Sequence, residues 1–124
     1  MGLKFYCCKH CGKIIVLAKD SGTPTVCCNE EMQELIPGST DAATEKHVPV
    51  VNVKGNKAIV SVGSVAHPML AEHFIEWIVI DTNKGVQKKC LKAGDEPKAE
   101  FALLDGEKIE NAFAYCNLHS LWKC

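Results

Sequence analysis

Hydrophobic and polar residues alternate in short runs along most of the chain, as they do in β-strands. Six such runs are predicted to be strands: Val48–Val53, Ala58–Val62, Glu72–Asp81, Val86–Leu91, Glu100–Leu104 and Ala112–Cys116. Turn signals, including the hairpin sequence Lys54-Gly55-Asn56-Lys57 and Asn83-Lys84-Gly85, separate neighbouring runs. Short strands with frequent turns predict an antiparallel β-sandwich.

Two local patterns add detail to this prediction. Within Glu72–Asp81, the two-residue spacing of Ile75, Trp77 and Val79 predicts that these three side chains share one face of a strand. The segment Thr40–Lys46 is predicted to form one turn of helix, and no long amphipathic helix pattern is visible.

The N-terminal segment reads as a separate small domain. Its predicted strands, Lys13–Leu17 and Thr25–Cys27, flank a turn at Asp20–Pro24. It also holds five of the eight cysteines of the chain. A segment this short needs a metal or disulfides to hold a shape. We therefore expect a metal-bound domain over residues 1–37 and a sandwich domain over residues 38–124.

Composition narrows the possible environments and partners. The 124 residues are 47% hydrophobic and 23% charged, with a formal net charge of -1, which argues against a nucleic-acid binder held by phosphate contacts. No apolar run approaches the roughly 18 residues that cross a membrane, and no export signal is visible. A cytoplasmic location is therefore expected, and in a reducing compartment clustered cysteines bind metal more often than they form disulfides.

Four N-terminal cysteines form the first candidate metal site. Cys8-x-x-Cys11-Gly12 is one half of a metal knuckle, and the neighbours Cys27 and Cys28 are the other half. Adjacent side chains in extended backbone point in opposite directions, so Cys27 and Cys28 can share an ion only across a sharp bend. Zinc and iron both accept four thiolates. A register in which Cys7 replaces Cys8 is the less common spacing.

Four of the five histidines and one more cysteine form a second candidate site. They lie at the ends of predicted strands, where loops can gather distant residues: His47, His67, His73, Cys116 and His119. Four imidazoles and one thiolate suit a five-coordinate ion with one vacant position. The residues alone leave copper, zinc and nickel as possible metals, whereas a thiolate opposite a vacant position favours redox chemistry at iron. Lys46 can attract a small anion toward the vacant position, and Glu45 can ligate that position or help hydrate it.

The joint pattern resembles the desulfoferrodoxins, the two-iron superoxide reductases, over nearly the whole chain. The resemblance rests on the N-terminal cysteines and on four further motifs: Glu45-Lys46-His47-Val48-Pro49, Gly63-Ser64-Val65-Ala66-His67-Pro68-Met69, His73-x-x-Glu76-Trp77-Ile78 and Tyr115-Cys116-Asn117-Leu118-His119. It implies a desulforedoxin-like domain followed by an immunoglobulin-like β-sandwich, commonly in a homodimer.

The resemblance also implies an activity and a role for each site. An Fe(Cys)4 centre is implied at the N-terminus, together with an Fe(His)4(Cys) centre that has Cys116 axial and the four histidines equatorial. The implied reaction is one-electron reduction of superoxide to hydrogen peroxide, with a rubredoxin-like electron donor. Lys46 is implied to draw in superoxide and aid protonation, and Glu45 to bind the oxidised iron after turnover. Cys90 is expected to be a small buried apolar residue and Cys124 a mobile terminal thiol.

Three other functions remain as alternatives. A non-catalytic electron carrier or redox sensor would use the same two centres without consuming superoxide. A superoxide dismutase would release oxygen, and a structural or interaction module would hold zinc alone.

Overall fold

The computed structural model describes residues 2–124, and the chain divides into two compact units on either side of the Ile36–Pro37 bond. The first unit contains five short strands: β1 (Phe5–Cys7), β2 (Ile14–Val16), β3 (Val26–Cys27), β4 (Glu30–Glu31) and β5 (Gln33–Glu34). They form a three-stranded antiparallel sheet in the order β2-β1-β5 and a separate β3-β4 hairpin. The predicted strands Lys13–Leu17 and Thr25–Cys27 correspond to β2 and β3, whereas β1, β4 and β5 are not predicted from the sequence.

The second unit is a sandwich of two antiparallel sheets. One short helix, α1 (Thr44–His47), precedes seven strands: β6 (Pro49–Lys54), β7 (Lys57–Val62), β8 (Ile75–Thr82), β9 (Gly85–Cys90), β10 (Lys98–Ala102), β11 (Ile109–Cys116) and β12 (Ser120–Lys123). One sheet has the order β10-β7-β6, and the other has the order β12-β11-β8-β9. Two packed antiparallel sheets of three and four strands have the sandwich architecture that immunoglobulin-like domains share. The predicted antiparallel sandwich is confirmed, and β12 is added to it.

The core lies between the two sheets of the second unit. Buried side chains of both sheets form one cluster, which comprises Ala58, Val60, Val62, Ile75, Ile78, Ile80, Ala99, Phe101, Leu103, Ala112, Ala114 and Cys116. Cys116 ends β11 and is completely buried. One metal-ligating candidate is therefore fixed by the same packing that holds the sandwich together.

The predicted common face of Ile75, Trp77 and Val79 is wrong. Ile75 belongs to the core cluster together with Ile78 and Ile80, whereas the Trp77 ring stacks on Tyr115 with centroids 5.4 Å apart. The β8-β11 ladder pairs Trp77 with Tyr115 but Ile75 with Cys116, so β8 has one extra residue at this point. A bulge of this kind reverses the side-chain alternation, which a strict two-residue period cannot predict.

Two further expectations from the sequence need correction. Cys90 is exposed rather than buried, because it ends β9, the outer strand of its sheet. The helical turn predicted over Thr40–Lys46 is present but begins at Thr44 and ends at His47. Among residues 2–124, no helix is long and apolar enough to cross a membrane.

Candidate metal centres

The four N-terminal cysteines converge on one point in the first unit. The Sγ atoms of Cys8, Cys11, Cys27 and Cys28 all lie within 4.8 Å of one another. Two of the separations, Cys11 to Cys27 and Cys27 to Cys28, are 3.7 Å and 3.9 Å. Sulfurs about 2.3 Å from a tetrahedral ion lie about 3.8 Å apart. The spacing therefore fits a tetrahedral metal ion.

Backbone geometry gives both halves of this site their shape. Gly12, with φ 79°, donates its N–H to the Cys8 carbonyl across 3.0 Å and closes the first knuckle. Cys28 and Asn29 have φ of 53° and 61°, so the chain turns sharply at the second half. This is the bend that two adjacent cysteines need in order to share an ion.

The Cys8 thiol is more acidic than an ordinary thiol, which favours metal binding. Backbone hydrogen bonds, first from Cys11 and also from His10, lower the pKa of the Cys8 thiol to about 6. Hydrogen bonding to Cys8 raises the pKa of Cys28 to about 12. At neutral pH, Cys8 is therefore a thiolate held by the thiols around it, and an entering ion displaces their protons.

The structure also separates the two registers left open by the sequence. Cys7 is not a member of the four-sulfur group, and its Sγ lies 3.6 Å from the carbonyl oxygen of Cys8. An exposed ion pair between His10 and Glu30 joins the two halves of the site from outside. His10 is therefore a neighbour of the centre rather than a candidate ligand.

The other four histidines form a square in the second unit. Neighbouring rings have centroids 4.7 to 5.1 Å apart and planes 77° to 87° to one another; the pairs are His47–His67, His67–His73, His73–His119 and His119–His47. Across the diagonal, His47 and His73 are 6.4 Å apart. A ring of imidazoles edge to face directs one nitrogen of each toward a common centre.

Ring hydrogen bonds identify the nitrogens that face this centre. Nδ1 of His47 lies 2.7 Å from the Ala43 carbonyl, and Nδ1 of His67 lies 2.6 Å from the Pro68 carbonyl. A carbonyl only accepts, so both Nδ1 atoms carry the proton and both Nε2 atoms carry a lone pair. These two Nε2 atoms are 3.2 Å apart. Nitrogens about 2.1 Å from one ion at right angles lie about 3.0 Å apart.

Burial keeps these imidazoles neutral. Desolvation is the largest cause that lowers the pKa of His47, His67 and His73, and it brings the pKa of His67 to about 4. His47 and His67 are only 3% and 2% exposed. Two buried lone pairs 3.2 Å apart repel unless a cation lies between them. Nε2 of His73 is also buried without a hydrogen-bond partner, as expected for a third donor.

Cys116 and His119 complete the second group. The donor atoms of His47, His67, His73 and Cys116 all lie within 4.8 Å of one another. Nδ1 of His119 lies 3.1 Å from Nε2 of His47 and 3.8 Å from Sγ of Cys116. The structure thus brings together the five donors singled out in the sequence. The donor set is four imidazole nitrogens and one sulfur, which suits a redox-active transition metal.

Backbone groups act on the Cys116 sulfur. Burial is the largest influence and raises the pKa of the thiol, whereas hydrogen bonds from the backbone of Leu118 and His119 lower it. These N–H donors stabilise a thiolate and moderate its donation to a bound metal. The end of β11 therefore supplies the candidate ligand Cys116, and the loop after it supplies His119 and the N–H donors that act on the Cys116 sulfur.

Glu45 and Lys46 lie on α1 directly before His47, and both are exposed. The Glu45 carbonyl accepts a hydrogen bond of 2.9 Å from Val65 N–H and one of 3.3 Å from the Ser64 hydroxyl. A Cβ at Gly63 would lie 2.4 Å from the same oxygen, so only glycine fits there. The charge of Lys46 contributes to lowering the pKa of both His47 and His73, which places its electrostatic influence at the second group.

Sequence reasoning assigned no role to two residues that support the second group. Trp122 lies against His47 with centroids 4.9 Å apart, and its Nε1–H donates to the His119 carbonyl across 2.9 Å. Gly63, which has no Cβ, lets its backbone approach the Glu45 carbonyl closely. An isolated tryptophan near the C-terminus and a glycine in a loop have no pattern that separates them from ordinary core and turn residues.

Comparison with known proteins identifies the family. The desulfoferrodoxin family model matches residues 39–124. A desulfoferrodoxin homolog of Archaeoglobus fulgidus is 45% identical over 121 residues, which cover 98% of this chain and 95% of that protein. A desulfoferrodoxin of Nitratidesulfovibrio vulgaris is 45% identical over 120 residues, 97% of this chain and 94% of the relative. The chain belongs to the desulfoferrodoxin family.

A solved structure supports the same relationship across both units. The superoxide reductase from Treponema pallidum has a TM-score of 0.85 and 37% sequence identity, and the match covers 100% of this chain and 99% of that one. Membership in the family and the two ligand groups confirm the expectation of two metal sites per chain, and both donor sets fit iron.

Proposed function

We propose that the protein is a superoxide reductase that uses the second group as its catalytic centre and the first as an Fe(Cys)4 centre. The single observation that carries the proposal is the square of four imidazoles with the Cys116 sulfur beside it. The match to a superoxide reductase over the whole chain gives further support. The reaction takes one superoxide, one electron and two protons to one hydrogen peroxide.

An iron ion held by the four histidines and Cys116 would supply one-electron redox chemistry to a small anion. The neutral forms of His47, His67 and His73 keep their lone pairs available at physiological pH, because burial disfavours their protonated forms. Cys116 contributes a soft, electron-rich donor. The N–H groups of Leu118 and His119 adjust that donation without blocking it.

Lys46 has the role of attracting superoxide to the site and supporting its protonation. Its charge acts on His47 and His73, and its side chain is exposed, so it can attract an anion that approaches these rings. Glu45 has the role of a carboxylate that would bind the oxidised iron. The hydrogen bond from Val65 N–H to the Glu45 carbonyl fixes the backbone that carries the Glu45 and Lys46 side chains.

Rapid mixing of the reduced, iron-loaded protein with superoxide tests the proposal. A superoxide reductase consumes superoxide and forms one peroxide for each, while an oxygen electrode records no oxygen from the protein reaction. Oxygen release at one molecule per two superoxide would establish a dismutase instead. If other acceptors oxidise the reduced protein but superoxide disappears no faster than without it, the protein is an electron carrier and the proposal is wrong.

Several features of the protein's setting follow from the same proposal. The electron comes from a rubredoxin-like donor, residues 1–37 act as a desulforedoxin-like domain, and residues 38–124 act as the catalytic domain. The chain forms a homodimer and works in the cytoplasm, where its cysteines stay reduced. Reduction kinetics with a rubredoxin and light scattering of the purified protein test the donor and the dimer.

A further inference from the structure

The strand pair β8-β11 is clamped in the same way at both of its ends. At one end, Asn83 follows β8 and makes three hydrogen bonds to the chain before β11. Its N–H donates to the Lys108 carbonyl, its Oδ1 accepts from Lys108 N–H, and its Nδ2 donates to the Gly106 carbonyl, across 3.1, 2.8 and 3.0 Å. One asparagine thus holds the two residues on either side of Glu107.

Asn117 repeats this arrangement at the end that carries the metal ligands. It follows β11, its N–H donates to the Phe74 carbonyl, its Oδ1 accepts from Phe74 N–H, and its Nδ2 donates to the Glu72 carbonyl. The distances are 3.2, 2.9 and 3.1 Å. This asparagine therefore holds the two residues on either side of His73.

The two clamps differ in how the residues that they enclose interact. Beside Asn83, the hydroxyl of Thr82, the last residue of β8, donates to Glu107 Oε2 across 2.6 Å. Beside Asn117, the corresponding residues are Cys116, the last residue of β11, and His73. They do not bond to each other, and their donor atoms both belong to the second metal-binding group. A direct hydrogen bond closes one end, and a shared metal ion would close the other.

We propose that Asn117 is a positioning residue of the second metal centre, which sets His73 at the correct distance from Cys116 and His119. Asn117 directly follows Cys116 in the chain and lies two residues before His119. It also forms hydrogen bonds to both neighbours of His73. Nε2 of His73 is buried without any hydrogen-bond partner, so no hydrogen bond to this nitrogen restrains the ring. The clamp on the backbone at Glu72 and Phe74 supplies that restraint instead.

This inference rests on iron binding at the second group, which is a premise of the proposed function, but it does not depend on superoxide as the substrate. Loss of the clamp leaves all five donors in the chain and weakens their preorganisation. The expected consequence is faster metal release rather than loss of a ligand.

Asn117→Ala and Asn83→Ala form a matched pair for the test, because each removes the same two side-chain hydrogen bonds from the same strand pair. The iron-loaded full-length proteins are mixed with a strong chelator, and iron retained per chain is measured over time. The thiolate-to-iron absorption of the second centre is followed as a difference spectrum against Cys116→Ser. Asn117→Ala is expected to release this iron about 10- to 100-fold faster than the unmodified protein, and Asn83→Ala within about twofold.

Unfolding of the metal-free proteins provides the reference, since both variants should lose similar stability in urea. Asn117→Asp keeps an acceptor for Phe74 N–H and loses only the donor to Glu72, so intermediate release is expected if Asn117→Ala does not fold. Equal iron release from the Asn83 and Asn117 variants would overturn the proposal and show that both clamps serve the strand pair alone. None of these readouts uses superoxide, so failure of the proposed reaction would be seen separately.

Discussion

The two metal-binding groups are built on opposite principles. The first takes all four ligands from two short turns, and two of its cysteines, Cys11 and Cys28, are exposed. The second gathers ligands from His47 to His119, and its residues His47, His67 and Cys116 are buried. The first unit has few other means of holding its shape, whereas the second group is attached to the core of a sandwich.

The two units obtain their stability from different sources. In the first unit, the metal replaces a core, because strands of two or three residues bury little apolar surface. In the second unit, the core holds the donors in place before any metal arrives. We therefore expect the metal to be a structural requirement in the first unit and, under the proposed function, a catalytic addition in the second.

Cys8→Ser should have the largest effect and should separate the two units. It removes the buried thiolate of the first group, and structural metal sites of this kind contribute about 10 kcal/mol to folding. We expect loss of the first iron and of amide protection in residues 2–36, with the second iron and its reaction retained. Iron analysis and hydrogen exchange measure both outcomes.

Cys7→Ser is the matched control for this prediction, because it changes the adjacent thiol, which lies outside the four-sulfur group. It should keep two irons per chain. Loss of the first iron from the Cys7 variant, with retention by the Cys8 variant, would show that the register of the knuckle begins at Cys7.

Acid should expose the strain that the second group carries without metal. The pKa of His67 is lowered to about 4 in the folded protein from an ordinary value of about 6.5. Between these values the unfolded chain binds a proton that the folded chain does not, so stability falls as pH falls from 6.5 to 4. The loss from this residue is about 3 kcal/mol at most.

Urea unfolding of the metal-free protein at pH 7.5, 6 and 5 measures this slope. Bound metal should not reduce this slope, since the ion occupies the lone pair only in the folded protein and the unfolded chain still takes up the proton. A metal-free protein with constant stability over this range would contradict the assignment of neutral, desolvated imidazoles.

Gly63→Ala should damage the second group without touching a ligand. Its Cβ would lie 2.4 Å from the Glu45 carbonyl oxygen and 2.8 Å from the Lys46 carbonyl carbon, so the turn that carries His47 must shift. We expect a loss of about 2 kcal/mol in the free energy of unfolding together with weaker iron binding at the second centre. Urea unfolding and chelator competition measure the two effects.

Gly106→Ala separates this clash from ordinary glycine strain. Gly106 has φ 78° and open space around its Cα, so alanine there strains the backbone by about 1 kcal/mol without meeting another atom. It should lower stability alone. If the Gly63 variant also retains normal iron affinity, the close approach does not position His47.

The sequence predicts the ligands of both groups better than it predicts the structure that supports them. Cysteines and histidines are rare and carry distinct chemistry, so their clustering at strand ends is visible without coordinates. The bulge in β8 that turns Ile75 toward the core has no such signature, because one extra residue leaves the composition unchanged. The two asparagine clamps are equally hidden, since each joins segments that are distant along the chain.

Lys46→Ala should have the smallest effect and tests how substrate reaches the buried group. Removing its charge should slow the second-order reaction with superoxide about three- to tenfold at low ionic strength, with the difference fading as salt screens the charge. Lys84→Ala makes the same change in net charge at the turn after β8, the end of that strand away from His73. Its rate should stay within about twofold. Stopped-flow rates across a salt series distinguish two kinds of steering. Steering by the overall charge of the protein would slow both variants alike. Local steering would slow only the Lys46 variant, because the charge of Lys46 acts on His47 and His73.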